Sequence, residues 1–424
     1  MTFTRRFNGI DYPDGPASDP LVLGWMQGLP PLPAQSIRFE DDQFLSFPRN
    51  RWALSHLREL MPTASVARSA AVTASWPTPD ADQQAAIDAL TFTDLDGQAT
   101  TWAQSLPDTY TDGMLVLHQG RCVYERYLGA LSAKRPHACF SITKSYAATL
   151  AATLVHEGVL DVQQRVLHYL PEMRATAYAD ATLRDVMDMQ VGVAYAEDYA
   201  DPHAPFWDYT RAVGFRPRPP DYSGATDVCT YLQGLQAQGP HGQAFAYKTV
   251  NTEVLCWVMT RVTGLGLAQQ LAARLWQPLG CAEEGYLSVD PLGMAFGGAG
   301  LSATLRDMAR FGELMRCEGA QGGQQIIPAA VVADTARGGD PDKFAKAGYT
   351  LLPGYSYRNM WWVTHNEHGA YEARGIHGQR LYVAPGAELV VARFGSHPIA
   401  ASASHDPITM PALLALGRML GSGA

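Results

Sequence analysis

Strand-forming runs stand at two places far apart in this chain, and a long helical stretch separates them. Gly113 to His118 and Arg121 to Leu128 are rich in β-branched and aromatic residues and meet at Gln119-Gly120, the pattern of a hairpin. Comparable runs return only at Asn359 to Thr364, Ala370 to Val383 and Glu388 to Phe394, with Pro385-Gly386 turning between the last two. Between them, 141 to about 289 carries apolar residues at helical spacing: Ala147 to His156, Leu183 to Met189, Val228 to Gln236, Thr252 to Thr263 and Leu267 to Trp276. Thr304 with Asp307 caps a further helix through Met315, and Pro407 to Leu420 closes the chain as a helix. Strands must find partners, so the two β-rich regions are expected to join in one antiparallel sheet built from distant segments. The fold class is therefore α+β, an α/β sandwich of antiparallel sheet and flanking helices with a mostly helical subdomain. The expected organisation is a single catalytic domain over 1–424, in which 1–140 and 290–424 form the α/β part and 141–289 the helical part.

Residues 1–105 are rich in Pro, Asp and Ala, yet Trp25, Phe39, Phe44, Phe47 and Trp52 are too many aromatics for a solvated tail, so this stretch reads as a packed N-terminal extension. A net charge of −9 argues against a nucleic-acid partner. The six cysteines are scattered without a C-x-x-C pair, which fits reduced thiols rather than a disulfide framework or a metal site. No apolar stretch reaches the roughly 18 residues of a membrane span, and the first twenty residues lack the apolar core of a signal peptide. The expectation is a cytoplasmic enzyme acting on small molecules, with no cofactor, no metal and no membrane partner; a homodimer is compatible.

The chemistry is concentrated at Phe140-Ser141-Ile142-Thr143-Lys144, a Ser-x-x-Lys signature at the start of a helix. Residues three apart share a helix face, so Lys144 can reach the Ser141 hydroxyl, and a serine hydroxyl needs such a neighbour to become a nucleophile. The alternative is that Ser141 is a helix cap and Lys144 a solvated first-turn residue. A lysine there opposes the helix dipole, which favours another purpose for it.

Two further stretches fit the same reaction. In Phe245-Ala246-Tyr247-Lys248-Thr249-Val250-Asn251, just before a helix, Tyr247 is placed to act as partner base if nearby cations ease its ionisation. Ala373-Arg374-Gly375-Ile376-His377-Gly378-Gln379 lies on a late strand whose glycines mark close approach, where the Ile376 N–H can join that of Ser141 in an oxyanion hole. Phe296-Gly297-Gly298-Ala299-Gly300 is expected to admit backbone near the active-site floor. His365-Asn366-Glu367-His368 lacks metalloprotease spacing and reads as a solvated loop.

The order Ser141-x-x-Lys144, Tyr247-x-Thr249, Gly375-Ile376-His377-Gly378 resembles the class C β-lactamase and penicillin-recognising serine hydrolase superfamily, and within it the 6-aminohexanoate-dimer hydrolases and their esterase relatives. The resemblance implies a β-lactamase/transpeptidase-like fold, with Ser141 as nucleophile, Lys144 as its activator and Tyr247 as proton carrier. It further implies oxyanion N–H groups from Ser141 and Ile376, and substrate contacts from Tyr199, Thr249, Gly375 and His377. Thr249 stands where β-lactamases of this class have Asn, and Ala373-Arg374-Gly375 stands where they have Lys-Thr-Gly. The expected substrates are therefore short esters and linear amides of the aminohexanoate-oligomer type. Acyl transfer, D-peptidase or β-lactamase action, or a non-catalytic binding module, are the alternatives on the same residues. Trp207 and Phe215 are expected to wall the pocket.

Overall fold

The computed structural model describes residues 4–70, 75–199, 201 and 203–421. Its centre is a seven-stranded antiparallel sheet made from β1 (Thr111–His118), β2 (Arg121–Tyr127), β3 (Ser356–Arg358), β4 (Trp361–Val363), β5 (Tyr371–Gly375), β6 (Gln379–Ala384) and β7 (Leu389–Gly395). The strand order is β3-β4-β5-β6-β7-β1-β2, so the early hairpin joins the late meander through the β7–β1 pair. In that register Val391 lies between Val116 on one side and Tyr382 on the other.

Both faces of this sheet are covered, and the alternation of side chains shows which goes where. Leu115, Leu117, Leu381, Val383, Val390 and Ala392 join the main core, whereas Met114, Val116, Tyr382, Ala384 and Val391 join a second apolar cluster with Trp102, Leu413 and Leu416. Helix α1 (Ile142–His156), helix α2 (Val250–Thr263) and helix α3 (Leu305–Arg316) belong to the first layer, and helix α4 (Asp406–Gly421) to the second. Helix α1 is buried along almost its whole length, from Ile142 to Leu154. Its alanines at 147, 148, 151 and 152 let α2 and the sheet come close, while Leu150 and Leu154 are fully buried, each worth roughly 1.5–3 kcal/mol. The result is a buried central helix packed against interior strands β5 and β6.

Two expectations are corrected. Ala370 to Val383 is two strands, because the chain folds back at Ile376–Gly378, where His377 has φ 61° and Gly378 φ 101°. Strand structure also does not pause between the hairpin and the late meander. His137–Ala138, Gly285–Ser288 and Leu301–Ala303 form, with Thr63–Val66, a separate four-stranded sheet. Strands of two to four residues are too short to show a period of two. In the amino-terminal region Phe44 and Trp52 are buried in the main core, with Trp25 and Phe39 packed against it. Phe47 lies edge-on to Tyr12 and Tyr110. Among the described residues no helix is long and apolar enough to cross a membrane.

Candidate active site

Ser141 sits at the mouth of α1, one residue after Phe140, whose φ of 45° places a bulky side chain in the left-handed region. Such a conformation costs of order 1–3 kcal/mol and persists only where packing enforces it. Here the Phe140 ring is buried against Phe215 and His377. The Ser141 hydroxyl makes no capping bond to its helix. Instead, Lys144 Nζ donates to Ser141 Oγ at 2.8 Å, and Ser141 and Tyr247 border one pocket.

Lys144 is 1% exposed, so its nitrogen is fixed from several sides. It donates to the Gly298 carbonyl at 2.7 Å and lies 5.0 Å from the centroid of the Tyr247 ring. Burial pushes its pKa down to about 8, against the opposing charges of Glu197 and Glu253. Tyr247 moves the other way. Burial, reinforced by Glu197, holds its phenol well above the ordinary value against the opposing influences of Ser141 and Arg374. Of the neighbouring cations expected to ease its ionisation, Arg374 does act in that direction, but burial outweighs it; the ring packs against Trp362 and Tyr357.

Strand β5 runs directly past Ser141. A Cβ added to Gly375 would lie 2.7 Å from the Cys139 carbonyl oxygen, so only glycine lets the strand approach this closely. The fold-back after it brings Ile376 beside Ser141, and both border the two lobes of one cleft. The larger lobe is about 930 Å³ and mostly apolar, with Phe206, Trp207, Phe215 and Phe296 in its wall. The smaller is about 310 Å³ and is bordered by Tyr247, Trp362 and Arg374. Tyr199 borders both lobes, Thr249 and His377 the larger, and Gly375 the smaller.

Several of these side chains are already engaged. The Tyr199 hydroxyl donates to Glu197 at 2.6 Å, and the Thr249 N–H and hydroxyl both donate to Glu197 at 2.7 Å. His377 Nδ1 is paired with the His397 carbonyl at 2.7 Å. Arg374 is held by Glu372 at 3.3 Å and by Asp406, with its guanidinium 5.2 Å from the Trp362 ring. His365 Nε2 is bound to Ser356 Oγ at 2.7 Å, which makes that loop structural. Among the described residues no cluster of three His, Cys, Asp or Glu side chains could hold a metal ion.

A sequence profile of the Beta-lactamase family matches residues 101–406, which include every site residue named above. The chain belongs to that family. The 6-aminohexanoate-dimer hydrolase of Paenarthrobacter ureafaciens is 32% identical to it over 390 residues, covering 91% of each chain. Among solved structures, a Bacillus anthracis protein assigned as a 6-aminohexanoate-dimer hydrolase superposes with a TM-score of 0.82 at 29% identity, over 91% of this chain and 97% of the other. A family VIII carboxylesterase shares the fold, with a TM-score of 0.56 at 17% identity, over 80% of this chain and 99% of that one. The resemblance to 6-aminohexanoate-dimer hydrolases and the β-lactamase/transpeptidase-like fold thus both hold, and the chain is a β-lactamase-like hydrolase.

Two carboxylates beside this site, Glu197 and Glu253, escaped sequence reasoning, whereas the Gly298 carbonyl on Lys144 fits the expectation that Phe296–Gly300 brings backbone to the site floor. Glu253 was hard to single out because a lone carboxylate in a helix is ordinarily solvated. The available signal was its position on α2 among Val254, Leu255 and Cys256, all of which are buried.

Proposed function

We propose that the chain hydrolyses short esters and linear amides, including those of the 6-aminohexanoate-oligomer type, through an acyl-enzyme on Ser141. The observation that carries this reading is the 2.8 Å contact between Lys144 Nζ and Ser141 Oγ in a site where the amine titrates near neutrality. Neutral Lys144 takes the Ser141 proton as Oγ attacks the carbonyl carbon. The N–H groups of Ser141 and Ile376 receive the oxyanion, an interaction whose removal typically costs roughly 10²- to 10³-fold in turnover. As the tetrahedral intermediate collapses, the Tyr247 phenol gives its proton to the departing oxygen or nitrogen and recovers one from Lys144. Water then repeats the sequence on the acyl-enzyme. Because Tyr247 borders the smaller lobe, the leaving group belongs there and the acyl group in the larger, aromatic-walled lobe, beside Tyr199, Thr249 and His377.

The departures from β-lactamases fit this substrate choice. Ala373 cannot bind a β-lactam carboxylate, and the adjacent Arg374 is neutralised by Glu372 and Asp406. A panel of p-nitrophenyl esters, the linear 6-aminohexanoate dimer and a chromogenic cephalosporin tests the reading. Short esters are expected to turn over fastest, since an alkoxide leaves more easily than an amine, and the cephalosporin slowest. Cephalosporin turnover exceeding that of the esters would overturn the substrate assignment.

A further inference from the structure

Glu253 is a buried carboxylate lying one turn into α2, on neither wall of the cleft, and the proposed proton transfers make no use of it. Its surroundings are nonetheless built to hold an anion. Oε1 accepts from the Tyr209 hydroxyl at 2.5 Å and from the Gly298 N–H at 2.8 Å, and Oε2 accepts from the Gly297 N–H at 3.0 Å. Gly298 is the same residue whose carbonyl accepts from Lys144. A Cβ at Gly298 would lie 2.2 Å from Thr249 Cγ2 and 2.9 Å from both Glu253 Oε1 and the Tyr209 oxygen, so the loop is clamped to α2 with no slack.

We propose that Glu253 is a positioning residue for the reaction proposed above, on which this inference rests. Its carboxylate clamps the Gly297–Gly298 backbone so that the Gly298 carbonyl aims Lys144 at Ser141, and its negative charge is an electrostatic partner of Lys144 across that backbone. A buried carboxylate is expensive unless its lone pairs are satisfied, and three donors converging on one from two separate segments are more than packing alone requires. The groups facing it are Tyr209 from the helix Pro205–Ala212, Cys229 from the helix Val228–Gln233, Lys144 from α1 and Cys256 one turn along α2. Burial brings Glu253 up to about 7 and Lys144 down to about 8, so both change charge close to neutral pH.

The test is the Glu253→Gln variant, assayed for kcat/KM on a p-nitrophenyl ester from pH 6 to 9.5, with thermal unfolding as a control. A glutamine amide turns a donor toward one of the two glycine N–H groups and releases that end of the clamp. Misplacing Lys144 in this way should lower kcat/KM by about 10²-fold. Loss of the negative charge removes an interaction that favours the ammonium, so the acid limb of the profile should move to lower pH by roughly one unit. Glu253→Asp keeps the charge but shortens the reach, and should lose rate while its acid limb stays near that of the parent enzyme. An unchanged rate in Glu253→Gln overturns the proposal. So does a loss of rate in both variants with neither limb displaced, which would make Glu253 a packing residue. A parent enzyme that still works without the Ser141 hydroxyl would instead remove the reaction proposed above, so the two failures are told apart.

Discussion

Replacing Ser141 with alanine is expected to eliminate the proposed ester hydrolysis, lowering kcat/KM by on the order of 10⁶-fold, the scale seen when a serine hydrolase loses its nucleophile. The size follows from the site. The serine oxygen is the point where the Lys144 ammonium and the Tyr247 phenol converge, and the two groups have nothing to act on once it is gone. The hydroxyl caps no helix, so the variant should unfold within about 0.5 kcal/mol of the parent, as for a substitution that disturbs no packing or cap. Steady-state kinetics beside a denaturant curve check both statements. Comparable activity in the variant would end the acyl-enzyme account.

The Lys144→Met variant is expected to lose about 10²- to 10⁴-fold in kcat/KM, the usual range for a positioned general base. Methionine keeps the apolar stem and fills nearly the same buried space, which isolates the amine. The pH dependence carries the sharper signal. Burial lowers the Lys144 pKa to about 8, so below that pH Nζ is an ammonium with no lone pair for the serine proton, and above it the amine is free. The parent kcat/KM should therefore rise as pH increases through about 8, and this limb should vanish in Lys144→Met. A parent profile that is flat from pH 6 to 9, or a limb that survives the substitution, would remove lysine from the base role. Tyr247 cannot supply that limb, because its phenol is held well above the ordinary tyrosine range.

Much of this site was readable because its chemistry is written in short local spacings. Ser141 and Lys144 meet through one turn of helix, Tyr247 precedes a helix start, and the glycines at 375 and 378 mark the fold-back that presents Ile376. The large sheet was readable for a similar reason, since its strands are mostly long enough for alternation to show. What stayed hidden depends on segments that meet only in the folded chain. The four-stranded sheet pairs Thr63–Val66 with Gly285–Ser288, more than two hundred residues away. The clamp at Glu253 takes its donors from Tyr209, Gly297 and Gly298. The net direction of the Tyr247 shift was not legible because burial and the charge of Glu197 outweigh that of Arg374, and no local pattern reveals the place of Glu197 beside Thr249. Desolvation and charge act through space, so their sign at one residue follows from burial and neighbours that a sequence spacing does not contain.

The central claim is that substrate acylates Ser141. It is tested most directly by acid-quenching the enzyme during turnover of a p-nitrophenyl ester and locating the acyl mass by peptide mass spectrometry. The account predicts a single acyl adduct on the peptide carrying Ser141, absent when Ser141 is alanine. Turnover with that peptide unmodified, or an acyl group carried by another residue, would contradict it.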